Sequence, residues 1–388
     1  MPESVAAGAE IIESPVDQGY GVREYGARDP EGQLWFFHAP LDRDDLVVLD
    51  RAAVSQNSRH LRASRTAPAR SQTGNTGSIV TAVTATSRAV GGCVTQSVVV
   101  RWPAFTRKRV DGRFVPITSS DIAYDCLLAH RAVPVLFIHA GIADRRMWDP
   151  QWTALTNTCD LARLDLRGFG ESDRPPAGPL SHVDDVIAMM DHAGLEKAHL
   201  VGASLGSGVA IEVALTVPSR VASLFLGPPG GSLIATRTDD LKAFAEEEDA
   251  ALNTADLDAA VEANVRAWVL GTGRSEAEVD AGVVAAVRRM QRRAFEIEDA
   301  WGDVQRAERT PAALEQLKEI TQPTLILVGG FDLDATKDAA QRLSAEIRHV
   351  KRNDWPDAAH LPNLEHPERF TDLLRGWLAE QTPSRTTS

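Results

Sequence analysis

Residues 111–388 of this 388-residue chain are predicted to form an α/β fold, a mostly parallel sheet flanked by helices. Short apolar runs alternate there with helical segments, as in proteins whose parallel strands are connected by helices. The run 133–138 is uninterrupted, which is typical of a strand buried on both faces of a sheet, and the other runs repeat that signal. The runs lie at 133–138, 161–166, 199–201, 221–226 and 324–328. A further pair of edge strands is predicted at 114–117 and 122–124.

Two helix starts carry clear sequence signals. Ser181 with Asp184 three residues later resembles a capping box, in which side chains satisfy the free N–H groups of the first turn. Pro367 is a favoured first helical residue, and an apolar face follows it at helical spacing. That face consists of Phe370, Leu373, Leu374 and Trp377.

Composition excludes several classes of protein. No apolar run reaches the length of a membrane-spanning helix, and no secretory signal is visible at the start. The three cysteines are far apart, which disfavours a disulfide framework and a structural zinc site. The formal net charge of −13 disfavours binding to nucleic acid or to an anionic membrane. We therefore expect a cytoplasmic protein with no membrane or nucleic-acid partner.

Residues 44–110 are predicted to be a low-complexity linker. Between residues 51 and 100 the chain has six arginines and no Asp, Glu or Lys, and it is rich in Ser, Thr, Ala and Gly. A segment with so few large apolar side chains cannot offset the entropy of ordering its backbone. We expect it to be mostly disordered, with one weak strand at 98–102. The alternative is an arm that binds RNA or a membrane.

Residues 1–43 are predicted to form a short β fragment. Three strands are expected within 8–39, two of them around the turn Asp29-Pro30-Glu31-Gly32, where Pro and Gly suit the second and fourth positions. This stretch resembles the C-terminal end of a glyoxalase/bleomycin-resistance (vicinal oxygen chelate) domain. Many metal-using members of that family have a glutamate ligand on the strand after the turn. Here that strand reads Leu34-Trp35-Phe36-Phe37, so the resemblance implies a fragment without a metal site.

The strongest chemical signal is the run Gly202-Ala203-Ser204-Leu205-Gly206, which follows one predicted strand and precedes a predicted helix. Strand, sharp turn and helix form the context of a nucleophile elbow, in which the flanking glycines allow the turn that exposes the serine hydroxyl. The alternative is a glycine-rich joint with a structural serine. Ser204 is the predicted nucleophile.

A serine hydroxyl needs a base to accept its proton. Among the ten histidines, His360 lies in a loop directly ahead of the C-terminal helix and follows Ser204 in the order expected for such a triad. His366, immediately before Pro367, is expected to face solvent. His360 is the predicted base.

The acid that orients this base is expected after another strand. The run 324–328 is followed by two glycines, Phe331 and then Asp332. Asp334 is the alternative, but it could instead cap the next helix. Because it comes first after the strand, Asp332 is the predicted orienting acid.

An oxyanion hole needs backbone N–H groups directed at the developing negative charge. Leu205, the residue after the nucleophile, is predicted to supply one donor. The second is expected from the turn after the strand 133–138, where Gly141 allows close approach of the backbone. The donor there is the amide of Gly141 or that of Ile142.

Taken together, these motifs resemble the α/β-hydrolase family in its Ser–Asp–His order. The resemblance covers about 113–380 and includes the run Asp165-Leu166-Arg167-Gly168-Phe169-Gly170, interpreted as a structural turn. Within the family the chain is similar to 3-oxoadipate enol-lactonase-like hydrolases and to haloperoxidase-like serine esterases. Serine as nucleophile disfavours haloalkane dehalogenases and epoxide hydrolases, which use aspartate. The resemblance implies an ester or lactone hydrolase that needs neither cofactor nor metal.

A helical cap is predicted over residues 232–318, inserted after the strand 221–226. Ile142, Trp268 and Phe295 are candidates for the substrate pocket, although core packing of the cap explains the two aromatic side chains equally well. Four arginines share one cap helix and could attract an anionic substrate, but a solvated face is the favoured interpretation. They are Arg288, Arg289, Arg292 and Arg293.

The predicted activity is hydrolysis of a small carboxylic ester or lactone through an acyl-enzyme. Three alternatives remain open at this stage. The same triad could cleave a C–C bond, or it could act as a perhydrolase or haloperoxidase-like enzyme. The fold could also serve as a non-catalytic small-molecule receptor that binds a ligand under the cap.

Overall fold

The computed structural model describes residues 121–128 and 133–381, together with strands that precede them. It divides into two compact units, Met1–Ala104 and Phe105–Ser388. The predicted division at residues 43 and 110 stays a prediction, and residues 44–77 lie outside the described residues.

The first unit contains two antiparallel sheets. The three strands expected near the N-terminus are confirmed as β1, β2 and β3, which pair in that order. Two more strands, β4 and β5, form a hairpin where the sequence predicts a disordered linker with one weak strand. Both are rich in Val and Thr, whose β-branched side chains favour strands even without a clean alternating pattern. The bounds are Glu10–Gln18, Val22–Arg28, Leu34–Pro40, Ser78–Ala89 and Gly92–Pro103.

The second unit has a hairpin, β6 and β7, and a seven-stranded sheet in the order β14-β13-β12-β11-β9-β10-β8. All neighbours in the sheet are parallel except β8, which runs antiparallel to β10. The mostly parallel α/β fold is therefore confirmed. From β6 to β14 the bounds are Thr106–Val110, Arg113–Ile117, Tyr124–Leu127, Val135–Ile138, Leu161–Leu164, Ala198–Ser204, Val221–Pro229, Thr324–Gly329 and Val350–Trp355.

The prediction that the strands at 114–117 and 122–124 form a pair of edge strands is wrong. β7 pairs with β6, and β8 forms the edge of the main sheet beside β10. Asp125 on β8 lies opposite Arg163 on β10, and its carboxylate accepts a hydrogen bond from the guanidinium at 2.8 Å. This cross-strand ion pair favours the observed pairing.

Nine α-helices lie within residues 133–381, and both predicted helix starts are confirmed. The Ser181 hydroxyl accepts the N–H of Asp184 at 3.2 Å, and the last helix begins at Pro367. From α1 to α9 the bounds are Asp149–Leu155, His182–His192, Leu205–Thr216, Asp239–Asn253, Leu257–Asn264, Ala281–Trp301, Asp334–Glu346, Pro362–Glu365 and Pro367–Gln381. None of the helices in the described part of the chain is long and apolar enough to cross a membrane.

Apolar side chains of helices and loops pack on both faces of the sheet. Successive side chains along each strand point to opposite faces and contact these two layers. Leu136 and Ile138 on β9 belong to a buried cluster that includes side chains of α2, α3 and α7. Phe137, between them, packs on Trp148, with ring centroids 5.0 Å apart. Phe370 of α9 contacts Trp148 in turn. The sheet therefore separates two apolar layers and holds its strand ends in fixed positions.

The helical character predicted for 232–318 is observed. Helices α4, α5 and α6 lie between β12 and β13, and a single π-helical turn, Val265–Leu270, continues α5. These three helices, the π-helical turn and the connecting residues up to Trp301 form the cap.

Candidate active site

Ser204 lies at a strained turn between β11 and α3. Its φ of 52° and ψ of −115° lie outside the regions that non-glycine residues ordinarily adopt. Such strain persists at functional sites where the surrounding structure imposes it. Here the two motif glycines make the turn possible: a β-carbon on Gly202 would overlap the Gly206 carbonyl, and one on Gly206 would overlap the Ile138 carbonyl. The geometry matches the predicted elbow.

Gly230, directly after β12, is a site residue that the sequence interpretation missed. A β-carbon at this position would stand 2.6 Å from Ser204 Oγ and 2.8 Å from Ser204 Cα. The next residue, Gly231, has a φ of +60°, where glycine is favoured. A signal was present in the sequence, since two consecutive glycines follow a strand at the edge where Ser204 was expected.

His360 and Asp332 form a buried pair. The imidazole Nδ1–H donates to Asp332 Oδ1 at 2.8 Å, and the two residues are 1% and 0% exposed. Asp332 Oδ1 also accepts the N–H of Leu333 at 3.0 Å, which fixes the carboxylate. His360 Nε2 is buried and has no hydrogen-bond partner among the described residues. With its proton on Nδ1, the ring leaves Nε2 free to accept one.

The alternatives to this pair lie elsewhere. Asp334 begins α7, where its carboxylate contacts Lys337 at 3.3 Å. His366 is partly exposed, and its Nε2 lies 3.1 Å from the Asp357 carbonyl. The structure thus brings Asp332 to His360 and leaves the other two residues outside the pair.

The sheet topology brings Ser204 and Asp332 to the same edge. β12 lies between β11, which ends at Ser204, and β13, which ends three residues before Asp332. Because these three strands are parallel, their carboxyl ends meet at one edge, the usual position of active sites in such sheets.

The two predicted oxyanion donors are adjacent. Leu205 is the first residue of α3, and Gly141 lies in the turn after β9 that the Ala143 N–H closes onto the Ala140 carbonyl at 3.1 Å. A β-carbon on Gly141 would lie 3.6 Å from that of Leu205, so the turn packs against the start of α3. The N-terminal end of a helix favours negative charge. Ile142, the other candidate donor, is buried in the same turn.

Trp268 covers the histidine from the cap. It lies on the π-helical turn, and its ring centroid is 4.4 Å from that of His360. Phe244 of α4 packs edge-on against Trp268 at 5.3 Å. The structure therefore brings the predicted Trp268 to the site. Phe295 is buried on α6, and its place in the pocket stays a prediction.

Three of the four arginines predicted on one cap helix form ion pairs with acidic side chains. Arg288 binds Glu262 and Glu276, and Arg293 binds Asp173 at 3.0 Å. Arg292 pairs with Asp258. Within the described ranges, no three His, Cys, Asp or Glu side chains are arranged to hold a metal ion.

The run 165–170 has a structural role, as predicted. The Asp165 carboxylate accepts the N–H groups of Arg145 and Glu171 at 2.9 and 2.8 Å and also binds the Arg145 guanidinium. Arg167 makes two hydrogen bonds to the Asp185 carboxylate, at 3.0 and 2.6 Å. These bonds hold the loop after β10 to the segment that follows the turn 140–143.

Comparison with known proteins agrees with this fold. A family model described as alpha/beta hydrolase fold matches residues 133–367. The chain is 27% identical to 3-oxoadipate enol-lactonase 1 of Acinetobacter baylyi over 64% of its own length and 89% of that protein's. It is 26% identical to a pimeloyl-[acyl-carrier protein] methyl ester esterase of Yersinia enterocolitica, over 62% and 91%. Among solved structures, a thermophilic esterase from Thermogutta terrifontis superposes with a TM-score of 0.55 at 27% identity, over 71% of this chain and 97% of that one.

Proposed function

This chain belongs to the alpha/beta hydrolase fold family and is a hydrolase, and we propose that it cleaves a small carboxylic ester or lactone through an acyl-enzyme on Ser204. The observation that carries the proposal is the buried His360–Asp332 pair, in which Nε2 of His360 has no hydrogen-bond partner among the described residues. His360 follows β14, which runs parallel to β13, so it comes after the carboxyl ends of the same parallel strands as the strained Ser204. The lactonase and esterase relatives support this substrate class.

In the first half of the proposed reaction, Ser204 Oγ attacks the carbonyl carbon and His360 Nε2 accepts the hydroxyl proton. Asp332 holds the imidazole in the tautomer that leaves Nε2 free, and it stabilises the imidazolium that forms. The negative oxygen of the tetrahedral intermediate lies against the Leu205 N–H and the amide of Gly141 or Ile142. Each such donor lowers the barrier by about 3 kcal/mol.

In the second half, His360 returns its proton to the leaving alcohol or enol oxygen, and the acyl group stays on Ser204. Water then enters, and His360 accepts one of its protons as the water oxygen attacks the acyl carbon. Collapse of this second intermediate releases the acid and restores the serine hydroxyl. In a lactone the acyl group and the leaving oxygen belong to one molecule, so the product is a single hydroxy acid. An enol lactone gives the corresponding keto acid.

The test is reaction with a serine-directed fluorophosphonate, followed by intact mass and peptide mapping, beside Ser204→Ala and the matched control Ser232→Ala. We expect one adduct on Ser204 in the parent and in the control, and none in Ser204→Ala. Turnover of aryl esters and simple lactones should follow the same pattern. Turnover that survives in Ser204→Ala would overturn the mechanism.

Product analysis then separates the remaining chemistries. An acid and an alcohol in equal amounts support ester hydrolysis, whereas C–C cleavage or peracid formation with no ester hydrolysis would replace the proposal. A folded parent chain that gives neither adduct nor product, but melts at a higher temperature with a bound ligand, would favour the receptor alternative.

A further inference from the structure

A buried arginine of the cap closes the turn that carries Trp268. Arg274 Nε donates to the Leu270 carbonyl at 2.6 Å, and Nη2 donates to the Val269 carbonyl at 3.1 Å. These carbonyls end the π-helical turn, where intrahelical partners are lacking. The side chain of Arg274 is only 8% exposed. Its guanidinium therefore fixes the end of the turn, one and two residues beyond Trp268.

The same guanidinium reaches the loop of the proposed base. Its Nη1 donates to Glu365 Oε2 at 2.7 Å, in an ion pair that is buried on both sides. The other oxygen of that carboxylate, Oε1, accepts the N–H of Ala359 at 2.8 Å. Since Ala359 directly precedes His360, a chain of hydrogen-bonded groups connects the cap to the backbone next to His360.

The loop of the proposed acid is held by the same segment. The Arg274 guanidinium carbon lies 4.6 Å from the centre of the Phe331 ring, and Phe331 directly precedes Asp332. The Thr272 N–H donates to the Phe331 carbonyl at 2.8 Å. Gly271, at a φ of +73°, packs so closely that a β-carbon would overlap that carbonyl. The cap segment 271–274 therefore touches the residue before each member of the His360–Asp332 pair.

We propose that Arg274 and Glu365 are positioning residues, which hold Trp268 against His360 and hold the imidazole in the orientation that the proposed proton transfer from Ser204 requires. This inference rests on the proposed function. The physical reason is that a buried ion pair costs desolvation energy and is retained where its remaining hydrogen bonds are satisfied, as they are here. The ion pair connects the cap to the loop after β14, and no strand of the sheet makes that connection.

The principal variant is Arg274→Ala, and its matched control is Arg266→Ala. Arg266 lies on the same π-helical turn, but it is half exposed and pairs only with Glu247 of the cap in the structure. We expect kcat for an aryl ester to fall about 10- to 100-fold in Arg274→Ala, because a small misplacement of a catalytic group has effects of that size. KM should change less than threefold, and the control should keep kcat within twofold.

Chemical rescue separates positioning from general loss of structure. Added guanidinium ion should restore part of kcat in Arg274→Ala and none in Arg274→Met, whose side chain fills the space. Arg274→Lys should be intermediate, since one ammonium cannot replace three directed donors. If Arg274→Ala does not fold, Glu365→Gln tests the inference in its place, and its kcat for an aryl ester should fall in the same way.

A folded Arg274→Ala, or in its place Glu365→Gln, with kcat within twofold of the parent overturns the inference. That result leaves the proposed function intact as long as the parent forms the Ser204 adduct. A parent that gives neither adduct nor turnover overturns the proposed function and this inference together.

Discussion

The backbone N–H of Leu166 donates to Nε2 of His139 at 2.9 Å, so one imidazole ring connects the turns after β9 and β10. The other ring nitrogen, Nδ1, lies 2.8 Å from the Ala140 carbonyl, which can only accept a hydrogen bond. Nδ1 therefore carries the proton and the ring is neutral. Since Gly141 comes next in the chain, this neutral ring supports the turn that holds the predicted oxyanion donor.

We predict that stability falls as the pH falls from 6.5 toward 4. Burial lowers the pKa of His139 to about 4, whereas an unfolded histidine keeps its ordinary pKa near 6.5. Between these values the unfolded chain binds more protons, so the free energy of unfolding decreases with acidification. At pH 5 this one residue accounts for about 2 kcal/mol. His182 and His199, with pKa values lowered by burial to about 3 and 4, act in the same direction.

Urea unfolding at pH 7.5 and pH 5 measures this effect. The non-titrating variant His139→Gln, compared with the parent at both pH values, should lose less stability on acidification. Equal free energies of unfolding at the two pH values in the parent would contradict the prediction.

Asp332→Asn should lower kcat by a factor on the order of 10³ to 10⁴ while the chain stays folded. An amide at this position favours the wrong tautomer of His360 and no longer stabilises the imidazolium. Asp334→Asn is the control, because that side chain is exposed and pairs with Lys337. Steady-state kinetics on an aryl ester measure both variants. A similar loss of kcat in both variants would contradict the role of Asp332 as the acid that orients His360.

Gly230→Ala should slow phosphonylation of Ser204 about 100-fold, since the new methyl group would stand 2.6 Å from Oγ and displace the hydroxyl. Gly178→Ala is the control, because a β-carbon there meets no atom within 4 Å. The rate of fluorophosphonate labelling measures the effect. Labelling of the alanine variant at the parent rate would show that the hydroxyl is not confined by Gly230.

Arg167→Met should destabilise the fold by about 3 kcal/mol, because it leaves the largely buried Asp185 carboxylate without its guanidinium partner. Arg174→Met should cost less than about 1 kcal/mol, since its ion pair with Asp121 is exposed on the arginine side. Urea unfolding at neutral pH compares the two. Equal costs would mean that burial of the pair does not govern its contribution.

A chain that begins at residue 105 should fold and hydrolyse esters at the parent rate. The boundary between the two compact units lies there, and the proposed active site belongs wholly to the second. Circular dichroism and turnover of the shortened chain test this. An insoluble or inactive product would mean that the first unit supports the hydrolase fold.

The parts of the site that local sequence determines were predictable. The elbow at Ser204 depends on two glycines within two residues of it, and the end of β13 leads directly to Asp332. The partners of β8, by contrast, depend on an ion pair between Asp125 and Arg163, which are 38 residues apart. A pattern within one segment holds no information about such a pairing.

The contacts between the cap and the triad loops could not be predicted for the same reason. Arg274 and Glu365 are 91 residues apart, and neither stands in a recognisable motif. Their meeting depends on how the cap folds back over the sheet. The helical spacing makes Trp268 a pocket candidate, but its tilted ring contact with His360 occurs on the π-helical turn, which the spacing does not specify.

The cap enters the chain between β12 and β13, two strands that are hydrogen-bonded neighbours. Residues 230–323 can therefore gain or lose helices in the course of evolution without shifting the register of any strand. Mutations that reshape the cap would alter which molecules reach the serine, while the sheet preserves the bond-breaking step. A library of cap variants on this unchanged sheet is accordingly the natural starting point for changing substrate preference.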